Sequence, residues 1–350
     1  MPLSSVVGAQ SIVKPGVCTS STRPASPYDG QVIYMTDVDQ TAVWDGTQWT
    51  VLAPIAGGRN KVINGAMSVW QRGTSFTASS SYTADRFLVD AGTVTRQTGT
   101  GQFPYCLRIA NSTGNPAVRH AIELPAAGLA GLFTVGSTWT ISFYARTSTT
   151  VTSNLSFYAA FCDTNLTNNN QIVLDYALPV PTTSWARYSK TFTIGVSPLG
   201  ANLAMTIVPF LNSGSYAGNF EITGIQLEEG SVATPFEFED FGTTLLKCKR
   251  YYWRNAIYAG GGVGGGGSIP IVSVPFPVTM RAIPTFGYIS NGPTMNGLAD
   301  ETINGFYSGL PSRDTSTDGT ELLFTKTGAS WTSGQGITVK NVVIEARAEL

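Results

Sequence analysis

The chain has 350 residues, only 12% of them charged, and a formal net charge of -1. That length calls for two or three domains. So weak a charge excludes a long-range field that would gather nucleic acid or an anionic membrane surface.

In chain order, the opening MPLSSVVGAQSIV has no basic stretch ahead of an apolar core, so no signal peptide is expected. Pro24, Pro27 and Gly30 set a turn before a predicted strand over 31–35. Trp44 falls on a second strand, Asp45-Gly46 carries the signal of a tight hairpin, and Trp49 falls on a third. The product is a three-stranded meander with a small aromatic face, too small to be stable alone. The stretch APIAGG closes this module at about residue 57.

Beyond it, alternating or β-branched runs predict strands over 139–145, 154–161, 188–194, 203–210, 220–227, 269–274, 321–325 and 337–345. Gly, Pro, Asn and Ser clusters separate them, the punctuation of sandwiches and jelly rolls. Residues 125–132 suggest a short helix. Residues 243–254 suggest a better one, capped by Thr243 or Thr244, with Leu245, Leu246, Cys248 and Trp253 near one face. The run AGGGVGGGG over 259–267 predicts a loop tip or hinge. No Lys-Ser/Thr follows it, which removes a phosphate loop. The expected fold class is mainly β: a small N-terminal β-meander (1–57), a central jelly-roll β-sandwich (58–239), and a C-terminal β-sandwich preceded by a short helix (240–350). No run approaches the ~18 apolar residues of a membrane-spanning helix.

Catalytic inventory is sparse. His120 is the one histidine, and its neighbours alternate as on a strand. No GxSxG elbow supports a triad, and histidine-based metal ligation needs more imidazoles. Carboxylates cluster as Asp37 with Asp39, Glu228 with Glu229, and Glu237, Glu239 and Asp240. Glu237 and Glu239 would share a face on a strand, as a glycosidase pair or as an ordinary solvated edge. Calcium takes carboxylates and backbone carbonyls, yet neither an EF-hand nor a nonapeptide motif is present, so no cofactor is expected. Cys18, Cys106, Cys162 and Cys248 form no CxxC and read as free or buried thiols.

The segment CTSSTRPASPYDGQVIYMTDVDQTAVWDGTQWTVL over 18–52 resembles a short β-rich module repeated across tailed-bacteriophage structural proteins. NKVINGAMSVWQRGTSFT over 60–77, YTADRFLVD over 82–90, QLEEGSVATPFE and RYYWR resemble the carbohydrate-binding-module-like jelly roll of phage tail fibres, and the last strand ends in ARAEL as theirs do. The resemblance covers about residues 18–254 and implies a virion structural protein, a fibre or spike subunit assembled in the host bacterial cytoplasm. Implied partners are other virion proteins, two further copies in a homotrimer, and a host surface glycan or protein. Pro24, Pro27, Tyr28, Trp44 and Trp49 would attach it to the particle, and the apolar stripe of Leu246 with Trp253 would be covered either by the chain's own C-terminal sandwich or by neighbouring copies about a threefold axis. No enzyme activity is expected. A capsid decoration protein or head fibre without receptor binding shares these features, and a glycan hydrolase would need a deeper acidic constellation.

Overall fold

The computed structural model describes residues 16–37, 40–52, 58–124, 132–163, 170–198, 203–262, 271–288, 294–297, 302–303, 312–323 and 336–349. The protein is mainly β, with multiple sheets and a β-sandwich that approaches a barrel.

The N-terminal sheet contains β1 (Gly16–Cys18), β2 (Val32–Met35), β3 (Gln40–Trp44) and β4 (Trp49–Leu52), in that order. The meander therefore has four strands, because β1 adds to β2 in parallel. Ile33, Met35 and Ala42 form its small core, with Cys18 and Trp49 packed against them. Asp45 shapes the β3–β4 loop: its Oδ1 accepts from the Thr47 and Gln48 amides, each at 2.9 Å. Those bonds and the Thr47 hydroxyl, the largest contributor, hold its carboxyl well below the usual range.

The central unit comprises β5 (Ser75–Tyr82), β6 (Phe87–Thr98), β7 (Tyr105–Ser112), β8 (Val118–Glu123), β9 (Thr138–Thr147), β10 (Leu155–Cys162), β11 (Asn170–Asp175), β12 (Ala186–Thr193), β13 (Ala204–Leu211) and β14 (Tyr216–Glu229). They join in one ladder ordered β11-β10-β13-β8-β6-β7-β14-β9-β12, with β5 on β6. Strand β6 serves both layers. Its start, Phe87–Val89, pairs with β8, and its end, Thr93–Thr98, pairs with β7. Gly92 makes the transfer with φ +104, and a Cβ there would lie 2.9 Å from the Ala110 carbonyl. The two ends of the ladder meet again: Lys190 on β12 pairs with Asp175 on β11. Between the layers, Phe157 of β10 packs on Phe192 of β12 with centroids 5.4 Å apart. Trp139, Phe143, Phe161, Phe220 and Leu227 complete a fully buried core. Burying each such side chain contributes about 1.5–3 kcal/mol.

After the sandwich come α1 (Phe241–Lys249), β15 (Tyr252–Gly262), β16 (Ile271–Pro275), β17 (Thr285–Tyr288), β18 (Thr294–Gly297), β19 (Thr302–Ile303), β20 (Ser312–Thr315), β21 (Gly319–Leu323) and β22 (Gly336–Arg347). Strand β22 pairs with β15, β17 and β18, while β16, β21 and β20 form a separate sheet. Three expectations are corrected here. Asp240, not Thr243 or Thr244, caps α1 by accepting from the Thr243 amide at 3.1 Å. The helix stops at Lys249, since Tyr252 and Trp253 pair with Arg347 and Ala346 on β22. Ala259–Gly262 belong to β15 rather than to a loop, because β22 pairs with every residue from Ala259 to Gly262; residues 263–267 lie outside the described residues. The helix suggested over 125–132 also lies outside them, except Leu132, which packs against the sandwich core.

Candidate functional site

Outward positions on the first layer change character along the strands. On β10 they are Ser156, Tyr158, Ala160 and Cys162, and on β13 Ala204, Thr206, Val208 and Phe210. Cys162 and Ala204 pair in register, as do Tyr158 and Val208. The small end is covered: Tyr251 packs on Ala121, Cys162 and Ala204. Its hydroxyl donates to Glu123 at 2.9 Å.

The large end is open. Tyr158, Phe210, Val208, Ala117 and Leu174 line a groove of about 470 Å³, with Asp90, Arg119 and Asn115 among its polar residues. Leu174 is the cross-strand partner of Tyr158 and stays 38% exposed. Phe210 is buried against Ala117, Val208 and Tyr158. Tyr176, 51% exposed, stands edge-on to Phe210 at 6.2 Å. The Arg119 Nε donates to Asp90 Oδ2 at 2.8 Å, and Asp90 Oδ1 accepts from Ser80 at 3.3 Å. Burial pushes the Tyr158 phenol up, so its hydroxyl keeps its proton and remains a donor. A flat apolar floor beside a fixed donor–acceptor pair suits a ligand that is apolar on its faces and hydroxylated on its edges.

The residues singled out in the sequence fall elsewhere. Pro24, Pro27 and Tyr28 precede β2. Tyr28 is 70% exposed, and its carbonyl accepts from Gln31 at 2.9 Å. Gly30 donates to the Trp44 carbonyl at 2.8 Å, laying this turn along β3. Trp44 and Trp49 meet edge-to-face at 5.6 Å across the hairpin. Leu246 is exposed on α1, but Trp253 is buried on β15 against Phe276, so the two share no helix face.

The carboxylates serve the fold. Glu237 and Glu239 lie in irregular chain after β14, not on a strand. Glu237 accepts from the Asn60 amide at 2.6 Å. Glu239 accepts from Thr244 at 3.1 Å and pairs with Lys247. Glu228 is buried and accepts from the Thr234 amide at 2.9 Å, while Asp37 holds the Ser20 amide at 2.7 Å. Asp39 lies outside the described residues. Among the described residues no cluster of three or more His, Cys, Asp or Glu could hold a metal ion. All four cysteines are free, with Cys106, Cys162 and Cys248 buried.

Four of the motifs that carried the resemblance, VWQRG, YTADR, RYYWR and ARAEL, converge on one junction under the C-terminal sheets. The Arg86 side chain, from YTADR, is 1% exposed, pairs with Glu349, and donates to the Ala121 carbonyl at 2.6 Å. Its guanidinium lies 3.6 Å from the Tyr251 ring centroid, and that of Arg72, from VWQRG, lies 3.5 Å from that of Tyr252. Arg72 also reaches Glu349 at 3.0 Å. His120 packs 5.0 Å from Phe87, and burial together with the Arg86 charge holds its pKa well below the usual value. His120 is thus a packed core histidine.

No protein-family model and no curated protein sequence matches the chain. Among solved structures, the chain is similar to the enzymatically active domain of tailspike protein 4 of bacteriophage CBA120, with 13% identity and a TM-score of 0.33 over 49% of this chain. It spans 22% of that tailspike chain. A putative sugar binding protein from Bacteroides thetaiotaomicron matches 49% of this chain over 100% of its own length, with 14% identity and a TM-score of 0.35. A xylan-binding domain from Paenibacillus barcinonensis matches 45% of this chain over 94% of its length, with 12% identity and a TM-score of 0.29.

Proposed function

We propose that the protein is a non-catalytic, glycan-binding subunit of a tailed-phage virion, a fibre or spike component that adheres to the host surface. The open groove of Tyr158, Phe210 and Leu174 beside the Asp90–Arg119 pair carries the binding half of this reading. Its size falls within the roughly 300–1,000 Å³ of small-ligand sites. The commitment of Glu237, Glu239 and Asp240 to chain-holding bonds supports binding without turnover. The virion half rests on the resemblance of residues 18–254 to phage structural proteins. Exposed Tyr28, next to the Trp44–Trp49 hairpin, supports attachment through the N-terminal sheet.

Calorimetry of the intact chain against a panel of neutral host-surface oligosaccharides tests the groove. Tyr158→Ala should weaken binding about tenfold or more, the range expected for losing a stacking aromatic, and Leu174→Ala should weaken it less, with circular dichroism unchanged in both. A wild-type chain that binds nothing on the panel, or variants that bind as tightly, would overturn the proposal. Electron microscopy of particles carrying tagged protein places it on tail or head. Finding it on the head would favour the decoration reading.

A further inference from the structure

The outer face of the second layer is also half covered. Residues after β14 cross one end of it: Gln226 takes the Glu237 amide at 2.7 Å, and Arg187 donates to Ser142 at 2.9 Å and to the Thr234 carbonyl. The uncovered end carries a three-strand row. Arg108 on β7, Glu221 on β14 and Arg146 on β9 are direct cross-strand partners. Two cations thus flank one acid, with their Cα atoms about 10 Å apart across two strand spacings. Arg108 Nε donates to Glu221 Oε1 at 2.6 Å, and Arg146 Nε donates to Oε2. The Glu221 side chain is 4% exposed, whereas those of Arg108 and Arg146 are 29% and 35% exposed.

The row is therefore unbalanced. One carboxylate is consumed beneath two guanidiniums, and the ion pairs of both arginines among the described residues go to Glu221 alone. Each guanidinium has five N–H donors in a planar fork; Glu221 takes the Nε of both and meets the Arg108 Nη2 at 2.5 Å, which leaves further donors on each, most of all on Arg146. The net positive charge is held by strands rather than by mobile loops. Beside it, the Trp185 ring lies 5.0 Å under the Arg146 guanidinium and is partly exposed. A chain that is nearly neutral as a whole has concentrated fixed positive charge and an aromatic face at one spot.

We propose that Arg146, Arg108 and Trp185 form a second subsite that takes the carboxylate of an acidic sugar residue. The guanidinium forks meet the carboxylate two-point, and the indole carries the sugar face. The proposal rests on the glycan-binding reading for the polymer, but its charge argument is separate from the neutral groove on the other layer.

The test uses tetragalacturonate and its carboxyl-reduced, neutral counterpart, titrated into the intact chain. The acidic oligomer should bind more tightly than the reduced one and weaken as salt rises from 0.05 to 0.5 M, as exposed charge contacts do. Arg146→Gln should lose about tenfold or more, the range of one charge-assisted contact. Arg146→Lys, which keeps the charge without the fork, should fall between and guards against a folding defect. Equal binding of acidic and reduced oligomers, or an unaffected Arg146→Gln, overturns the subsite. So does displacement by sulfate at equimolar concentration, which would mark a general anion site. If neutral sugars fail to bind while tetragalacturonate binds as described, the groove fails and the subsite stands.

Discussion

Glu349→Gln should be among the most damaging single changes in the protein, although it alters no volume. The Glu349 side chain is 9% exposed and neutralises Arg86, itself 1% exposed, and Arg72, which it meets at 3.0 Å. Glutamine can still accept a hydrogen bond but leaves a buried guanidinium without a counter-charge. Removing one partner of a buried pair costs about 3–5 kcal/mol. For a unit of this size that is a fall in Tm on the order of 10 °C. Arg86→Met runs the other way. It removes the cation whose desolvation is expensive, leaves Glu349 with Arg72, and sacrifices the bond to the Ala121 carbonyl, about 1 kcal/mol, and the stacking on Tyr251. Its cost should be clearly smaller, and the double variant should recover part of the Glu349→Gln loss. Calorimetric and urea melts of the three variants decide it. Were Glu349→Gln within about 0.5 kcal/mol of wild type, or Arg86→Met worse than Glu349→Gln, the junction would not be held by this charge pair.

Three further outcomes follow from the same geometry. Native His120 stays neutral while the unfolded chain takes a proton below about pH 6.5, so stability should fall as pH drops from 6.5 toward 5, by at most about 1.4 kcal/mol per unit; His120→Gln should flatten that slope in urea titrations at pH 7, 6 and 5. Gly65→Ala would place a Cβ 2.1 Å from the Ile225 carbonyl and should lower Tm sharply, whereas Gly195→Ala, with open space around it, should shift stability by no more than about 0.5 kcal/mol. Light scattering should report three times the 37.1 kDa chain mass, and Leu246→Asp, at a side chain 48% exposed on α1, should lower it without changing circular dichroism; a variant that unfolds instead would move Leu246 into the fold's own support.

The sheet-rich architecture was legible because β9, β10, β12, β13 and β14 are dense in aromatic and β-branched residues, and each falls within a few residues of its predicted span. Strands β5 to β8 were not, because SFTASSSY and VRHAIE interleave polar residues that only pairing with β6 and β13 makes strand-like. The helix expected over 243–254 ends at Lys249. Leu246 and Trp253 do fit two helical turns, but Tyr252 and Trp253 gain more from β22 than from a further turn of α1. The groove was hidden for a different reason. Its lining comes from five strands, and buried outward positions on β10 and β13 look the same in sequence as inward ones. One signal was there to read: the alternate residues of β10 and β13 shrink from Tyr158 and Phe210 to Cys162 and Ala204, which marks where a cover sits and where none does.

The junction also sets a clock. Arg86 and the residue that neutralises it are separated by 263 positions in the chain. At roughly 5–20 residues per second, a ribosome needs about 13–50 s to travel between them. Through the last 98 of those positions, once Tyr251 has been made, the groups that enclose Arg86 are already available, yet its counter-ion has not been made. A nascent sandwich must therefore either leave that end ajar to water or wait, and the late arrival of Glu349 becomes the event that seals it.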